Sequence, residues 1–129
     1  MRYLVLSAAL AAAPMAMAQT QPDPETEFRL EEMDGAPYEG DVTLVFPEEE
    51  RIAGQGPCNR FMGRVVWDGE SMSIGPLVAT MMACPNLDAE KTLLKALEAV
   101  ETGVLTGDEL LLTTSEGGTL LYRADAAPE

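Results

Sequence analysis

A chain of 129 residues with 22 acidic side chains, 8 basic ones and no histidine carries a formal charge of -14. So acidic a surface repels nucleic-acid phosphates and anionic lipid headgroups, which sets aside nucleic-acid binding and makes a basic group the expected charged partner. Without histidine, Ser-His and Cys-His nucleophilic chemistry lacks its base, and hydrolytic catalysis is not expected.

Residues 1–18 read as a signal peptide, with Arg2 as the positive n-region, an apolar stretch over residues 4–13 and the small-x-small cleavage site Ala16-Met17-Ala18. The apolar stretch is too short to span a bilayer and polar, Pro-rich chain follows it, so no membrane span is expected. The mature protein is therefore placed in the periplasm or secreted. No cysteine stands next to the cleavage site to take a lipid. Residues 19–27, with Pro22 and Pro24 and no apolar periodicity, read as a flexible leader.

The remaining length suffices for one domain with one core. Residues 28–30 open a first strand that ends at the turn signal Asp34-Gly35. The run Val42-Thr43-Leu44-Val45-Phe46 alternates, putting Val42, Leu44 and Phe46 on one face. Residues 47–50 turn the chain, and a short strand over residues 51–54 pairs back. Residues 61–67 form the next strand, with Phe61, Val65 and Trp67 toward the core. Asp68-Gly69 makes a hairpin turn, and Met72 and Ile74 return inward. Residues 87–100 are the one helix expected, with Asn86 or Asp88 as its cap and Leu93, Leu94, Leu97 and Val100 on its inner face. Glu90, Lys91, Lys95 and Glu98 are expected to face water. Gly103 then breaks the helix, and residues 104–106, 109–113 and 119–123 are short strands. The domain thus covers residues 28–123, followed by a disordered tail over 124–129. Several antiparallel strands with one late helix indicate an α+β fold, a small antiparallel β-rich, barrel-like domain, expected as a monomer.

Both cysteines lie in two linked segments, Gly54-Gln55-Gly56-Pro57-Cys58-Asn59-Arg60-Phe61-Met62-Gly63 and Ala79-Thr80-Met81-Met82-Ala83-Cys84-Pro85. An even cysteine count in an oxidising compartment favours a disulfide between Cys58 and Cys84, which would stabilise by about 3 kcal/mol if unstrained. The competing reading is free or redox thiols, but the chain has no Cys-x-x-Cys and no histidine to depress a thiol pKa. A copper(I) site would have to draw on Met81, Met82 and the cysteines, and adjacent methionines serve more often as core filler, so no metal and no cofactor are expected. Asn59 and Arg60 form the candidate binding loop. Asn59 can hold a tight bend, while Arg60 either fixes the loop through an internal ion pair or meets a carboxylate on a partner.

The Gly-x-Gly-x-Cys-Asn-Arg-Phe-x-Gly segment, followed by Thr-x-Met-x-Cys and an acidic-to-leucine helix, resembles the META domain family, which includes the heat-shock protein HslJ. The resemblance runs in order from Phe28 to Arg123, with Pro57 before Cys58 as a small departure that bears on loop conformation. It implies a small β-rich domain with a helix, found in exported bacterial proteins and associated with stress and drug tolerance, and no settled enzyme mechanism. Three function classes follow. The first is a non-enzymatic envelope module that binds another protein or acts in the stress response. The second is a small periplasmic enzyme inhibitor acting through a disulfide-held loop. The third is an enzyme or thiol oxidoreductase, which the missing residues disfavour.

Overall fold

Period-two alternation of apolar residues organises almost all of the chain, and the strands it produces close on one another. In the computed structural model, which describes residues 22–125, the elements in order are β1 (Phe28–Met33), β2 (Ala36–Pro37), β3 (Thr43–Val45), β4 (Arg51–Gln55), β5 (Arg60–Asp68), β6 (Ser71–Ile74), β7 (Val78–Ala79), α1 (Leu87–Glu98), β8 (Val100–Thr106), β9 (Glu109–Thr114) and β10 (Thr119–Ala124). The signal peptide, the start of the leader and residues 126–129 lie outside the described residues.

Every pairing is antiparallel. The path runs β1-β3-β4-β5-β6-β8-β9-β10, and β10 returns to β1 with Phe28 opposite Ala124 and Met33 opposite Leu120. The result is an eight-stranded barrel with one helix among the described residues, as the sequence pattern indicates. Closure removes the exposed sheet edges that an open sheet of this size would present. Two short strands lie off this ring. β2 folds back on β1 through Asp34-Gly35, both at positive φ as a type I′ turn demands, and β7 lies against the first half of β5.

The inward positions fill the barrel. Val42, Leu44 and Phe46 from one run, Phe61 and Val65 from β5, and Met72 and Ile74 from β6 are all buried. Phe28, Phe46 and Trp67 stack edge to face in series. Leu93 and Leu97 reach the core from α1, and burial of each stabilises by about 1.5–3 kcal/mol.

Several boundaries differ from the sequence reading. The helix stops at Glu98, and Val100 is buried as the first residue of β8 rather than as the last turn of α1. Gly103 lies inside β8, where a Cβ would meet the Met72 sulfur at 2.9 Å and the Trp67 ring at 3.0 Å, so it serves close packing across the barrel rather than helix termination. Asn86 occupies the N-cap position without a side-chain capping bond. Trp67 is half-buried, not fully in the core. The closing strand extends through Ala124, one residue into the segment read as a tail, and the Asp125 N–H donates to the Glu27 carbonyl at 3.0 Å. Of the leader, residues 22–27 are described. Pro22 is buried, and the Thr26 N–H closes a turn onto the Asp23 carbonyl.

Candidate functional site

The two motif segments meet where β5 begins. Arg60 N–H donates to the Thr80 hydroxyl at 3.2 Å and Thr80 N–H donates to the Arg60 carbonyl at 3.0 Å, which extends the β5–β7 ladder through the motifs. Cys58 and Cys84 are joined by a disulfide with Cα atoms 6.2 Å apart. The segments are thus held both by backbone pairing and covalently.

A third tie comes from the helix. Glu90 was expected in water; it is 4% exposed, and its carboxylate lies under the Cys58 loop. One carboxylate oxygen accepts the Cys58 N–H at 3.0 Å and also the Asn59 N–H, while the other accepts the Asn59 side-chain amide at 2.7 Å. Burial of a carboxylate is tolerable only with such donors around it. Gly56 has to be glycine here, because a Cβ would lie 2.8 Å from that carboxylate. Gly54 answers a similar demand one step earlier, where a Cβ would stand 2.2 Å from the Thr43 carbonyl.

Asn59 is the hub of this clasp. Only 2% exposed, it points its amide group at Glu90 and the Met82 carbonyl and accepts on its oxygen from the Thr80 hydroxyl at 2.9 Å and the Met82 N–H at 2.8 Å. The two residues read as one binding loop therefore separate. Asn59 faces inward and connects the helix to the Thr80–Met82 segment, because a side-chain amide is short and can both donate and accept. Arg60, next along the strand, faces outward.

The face that Arg60 shares is apolar. Outward positions of β5 are Arg60, Met62, Arg64 and Val66, and Met62 is registered opposite Val78 of β7. Val78 is 69% exposed and Met81 94%, with Met82 also exposed. Of the other exposed large hydrophobic residues among those described, Val66 lies further along β5, opposite Ser73, and Leu111 lies on β9. Every arginine among the described residues except Arg60 is ion-paired: Arg29 to Asp41 and Asp125, Arg51 to Glu48, Arg64 to Glu50, and Arg123 to Glu31, Asp108 and Glu109. The internal ion pair considered for Arg60 is absent among these residues. Met81-Met82, expected from the sequence as core filler, is instead exposed, and Val78 and Met62 beside it fall on the polar phase of their strands.

Elsewhere, an open cleft of about 740 Å³ lies between α1 and the β9–β10 turn, lined by Lys95, Ala96, Asp34, Glu116 and Leu120 among others. Its best-placed polar groups are already engaged, Asp34 with the Thr119 N–H and the Thr114 hydroxyl with the Gly118 N–H. Inside the barrel, the Tyr122 hydroxyl has no partner among the described residues. Burial, and secondarily Tyr38, push its pKa up, while burial and then Glu90 raise that of Tyr38, so neither phenol is an activated nucleophile.

The structure is thus a closed antiparallel barrel with one helix among the described residues, whose polar motif is buried and whose adjoining surface carries exposed apolar side chains beside Arg60. The META domain profile matches residues 18–127, and the chain belongs to that family. Among solved structures, a protein from Burkholderia xenovorans determined by NMR is similar at 26% identity and TM-score 0.69, covering 98% of this chain and 99% of that one. A second NMR structure is similar at 27% identity and TM-score 0.63 over 78% of this chain and 89% of the other. A DUF4847 family protein from Bacteroides vulgatus shares the fold at 11% identity and TM-score 0.62, over 81% and 96% of the two chains. No curated protein matches.

Proposed function

We propose that this META domain is an exported, non-enzymatic protein-binding module of the cell envelope, acting in the envelope's response to stress, and that it binds through the face formed by Met62, Val78, Met81, Met82 and Arg60. The observation that carries the reading is the gathering of exposed apolar side chains on a segment fixed by a disulfide, a strand pairing and the Glu90–Asn59 clasp. Exposed apolar groups gathered in one place mark interaction surfaces, and a surface held in advance loses little conformational entropy on binding. Export is supported by the n-region, apolar stretch and cleavage pattern of residues 1–18 and by the bridged cysteines.

Co-purification tests it. The double variant Val78→Ser, Met81→Ser should lose the partner that the wild-type chain retains, whereas Leu111→Ser, an equally polar change on β9, should keep it. Equal retention by both variants would contradict the assignment. Because Met81 projects from a braced segment, insertion into an enzyme's active site as an inhibitor is the second reading. It is distinguished by loss of the captured enzyme's activity on binding.

A further inference from the structure

We infer that the partner segment recognised by this face is acidic and apolar, opposite in sign to what the chain's net charge of -14 suggests. The inference rests on the proposed binding face and adds the chemistry of what it takes. Net charge governs long-range encounter, but contact chemistry is set by the groups that the surface presents. Here those groups are Met62, Val78, Met81 and Met82, with Arg60 among them. Arg51 and Arg64 stand opposite each other on the neighbouring stretch of β4 and β5, each with one glutamate, whereas Arg60 faces Gln55 across the ladder and has no ion pair among the described residues. A guanidinium is planar and weakly hydrated, and it offers two parallel N–H groups to a carboxylate. With Met62 beside it on β5 and the exposed Val78, Met81 and Met82 on the segment that pairs with Arg60 through Thr80, that pairing becomes a strongly directional contact at the edge of an apolar patch. A basic partner would leave two cations facing each other in the same dry interface.

A membrane surface or a second copy would each bring an extended negative surface against the molecule's own charge of -14, whereas a short acidic segment brings little beyond the carboxylate that Arg60 pairs.

A random heptapeptide library displayed on phage, selected separately on the intact mature chain and on its Arg60→Glu variant, tests the inference. Since Arg60 is exposed and makes no ion pair among the described residues, the variant should melt with the wild type. Peptides selected on the wild type should be enriched in Asp and Glu beside apolar residues, and the best of them should bind the variant roughly tenfold more weakly. Peptides selected on the variant should keep the apolar residues and lose the acids. Enrichment of Lys and Arg on the wild type, or acid enrichment that survives Arg60→Glu, would overturn the sign of the partner while leaving the face intact. Selected peptides whose binding ignores Val78→Ser, Met81→Ser would overturn the face itself. Binding of phosphatidylglycerol vesicles, or a dimer in sedimentation, abolished by Arg60→Glu would assign the site to a lipid surface or to self-association and overturn the inference.

Discussion

At the scale of single residues, the buried Glu90 carboxylate and the buried Tyr122 hydroxyl are treated in opposite ways. Glu90 is surrounded by donors from Cys58 and Asn59, while the Tyr122 hydroxyl has no partner among the described residues. A buried hydroxyl left without a hydrogen bond costs about 1–3 kcal/mol, so Tyr122→Phe should leave the stability at pH 7 unchanged or raise it. Alkaline pH separates the two proteins further. The folded-state pKa of Tyr122 is raised by burial, so the native state keeps a proton that the unfolded chain gives up. Its contribution is fully present below the unfolded pKa of about 10 and is lost as pH rises through the higher folded value. Urea midpoints measured across that range should therefore fall more steeply for the wild type than for Tyr122→Phe. Parallel slopes, or a clear loss at pH 7, would show that the hydroxyl is satisfied.

At the scale of elements, α1 both fills the core and supplies the carboxylate that orders the motif loop. Glu90→Ala would orphan three donors, the Cys58 N–H, the Asn59 N–H and the Asn59 amide, with an expected loss of about 3 kcal/mol. Removing the disulfide by Cys58→Ser, Cys84→Ser should cost a similar amount, about 3 kcal/mol, but chiefly through the unfolded state. Amide hydrogen exchange distinguishes them. Exchange at Thr80 and Met82 should rise more in Glu90→Ala than in the double serine variant, and the reverse order would make the disulfide the principal brace.

The strands of the barrel were legible because period two is unambiguous in runs such as Val42-Thr43-Leu44-Val45-Phe46, and the turns because Asp34-Gly35 and Asp68-Gly69 have few other uses. The helix end was not, because Val100 continues the spacing of Leu93 and Leu97 while already belonging to β8. Glu90 was misplaced for a related reason. It stands three residues before Leu93 and seven before Leu97, on the apolar stripe, and its charge outweighed its position. A carboxylate on the buried phase of a helix was the available signal for the clasp. That Asn59 would turn inward and Arg60 outward follows from a strand phase that begins inside the motif, which composition alone does not reveal.

At the scale of the whole molecule, the acidic surface and the motif serve different ends. The acidic residues repel like-charged partners at long range, and surface ion pairs such as Arg29 with Asp41 add little stability. The motif is mostly internal, joining β5, the Thr80–Met82 segment and α1, and what it exposes as a consequence is the apolar face around Arg60. The most direct measurement of that face is photo-crosslinking in cells, with a benzophenone amino acid placed at Met81 in one full-length chain and at Leu111 in another. Both positions are exposed and apolar, Met81 at 94% and Leu111 at 39%, so nonspecific contact should label both. A discrete adduct from position 81 and none from 111 is the predicted result; the same adducts from both positions, or an adduct from 111 alone, would contradict it.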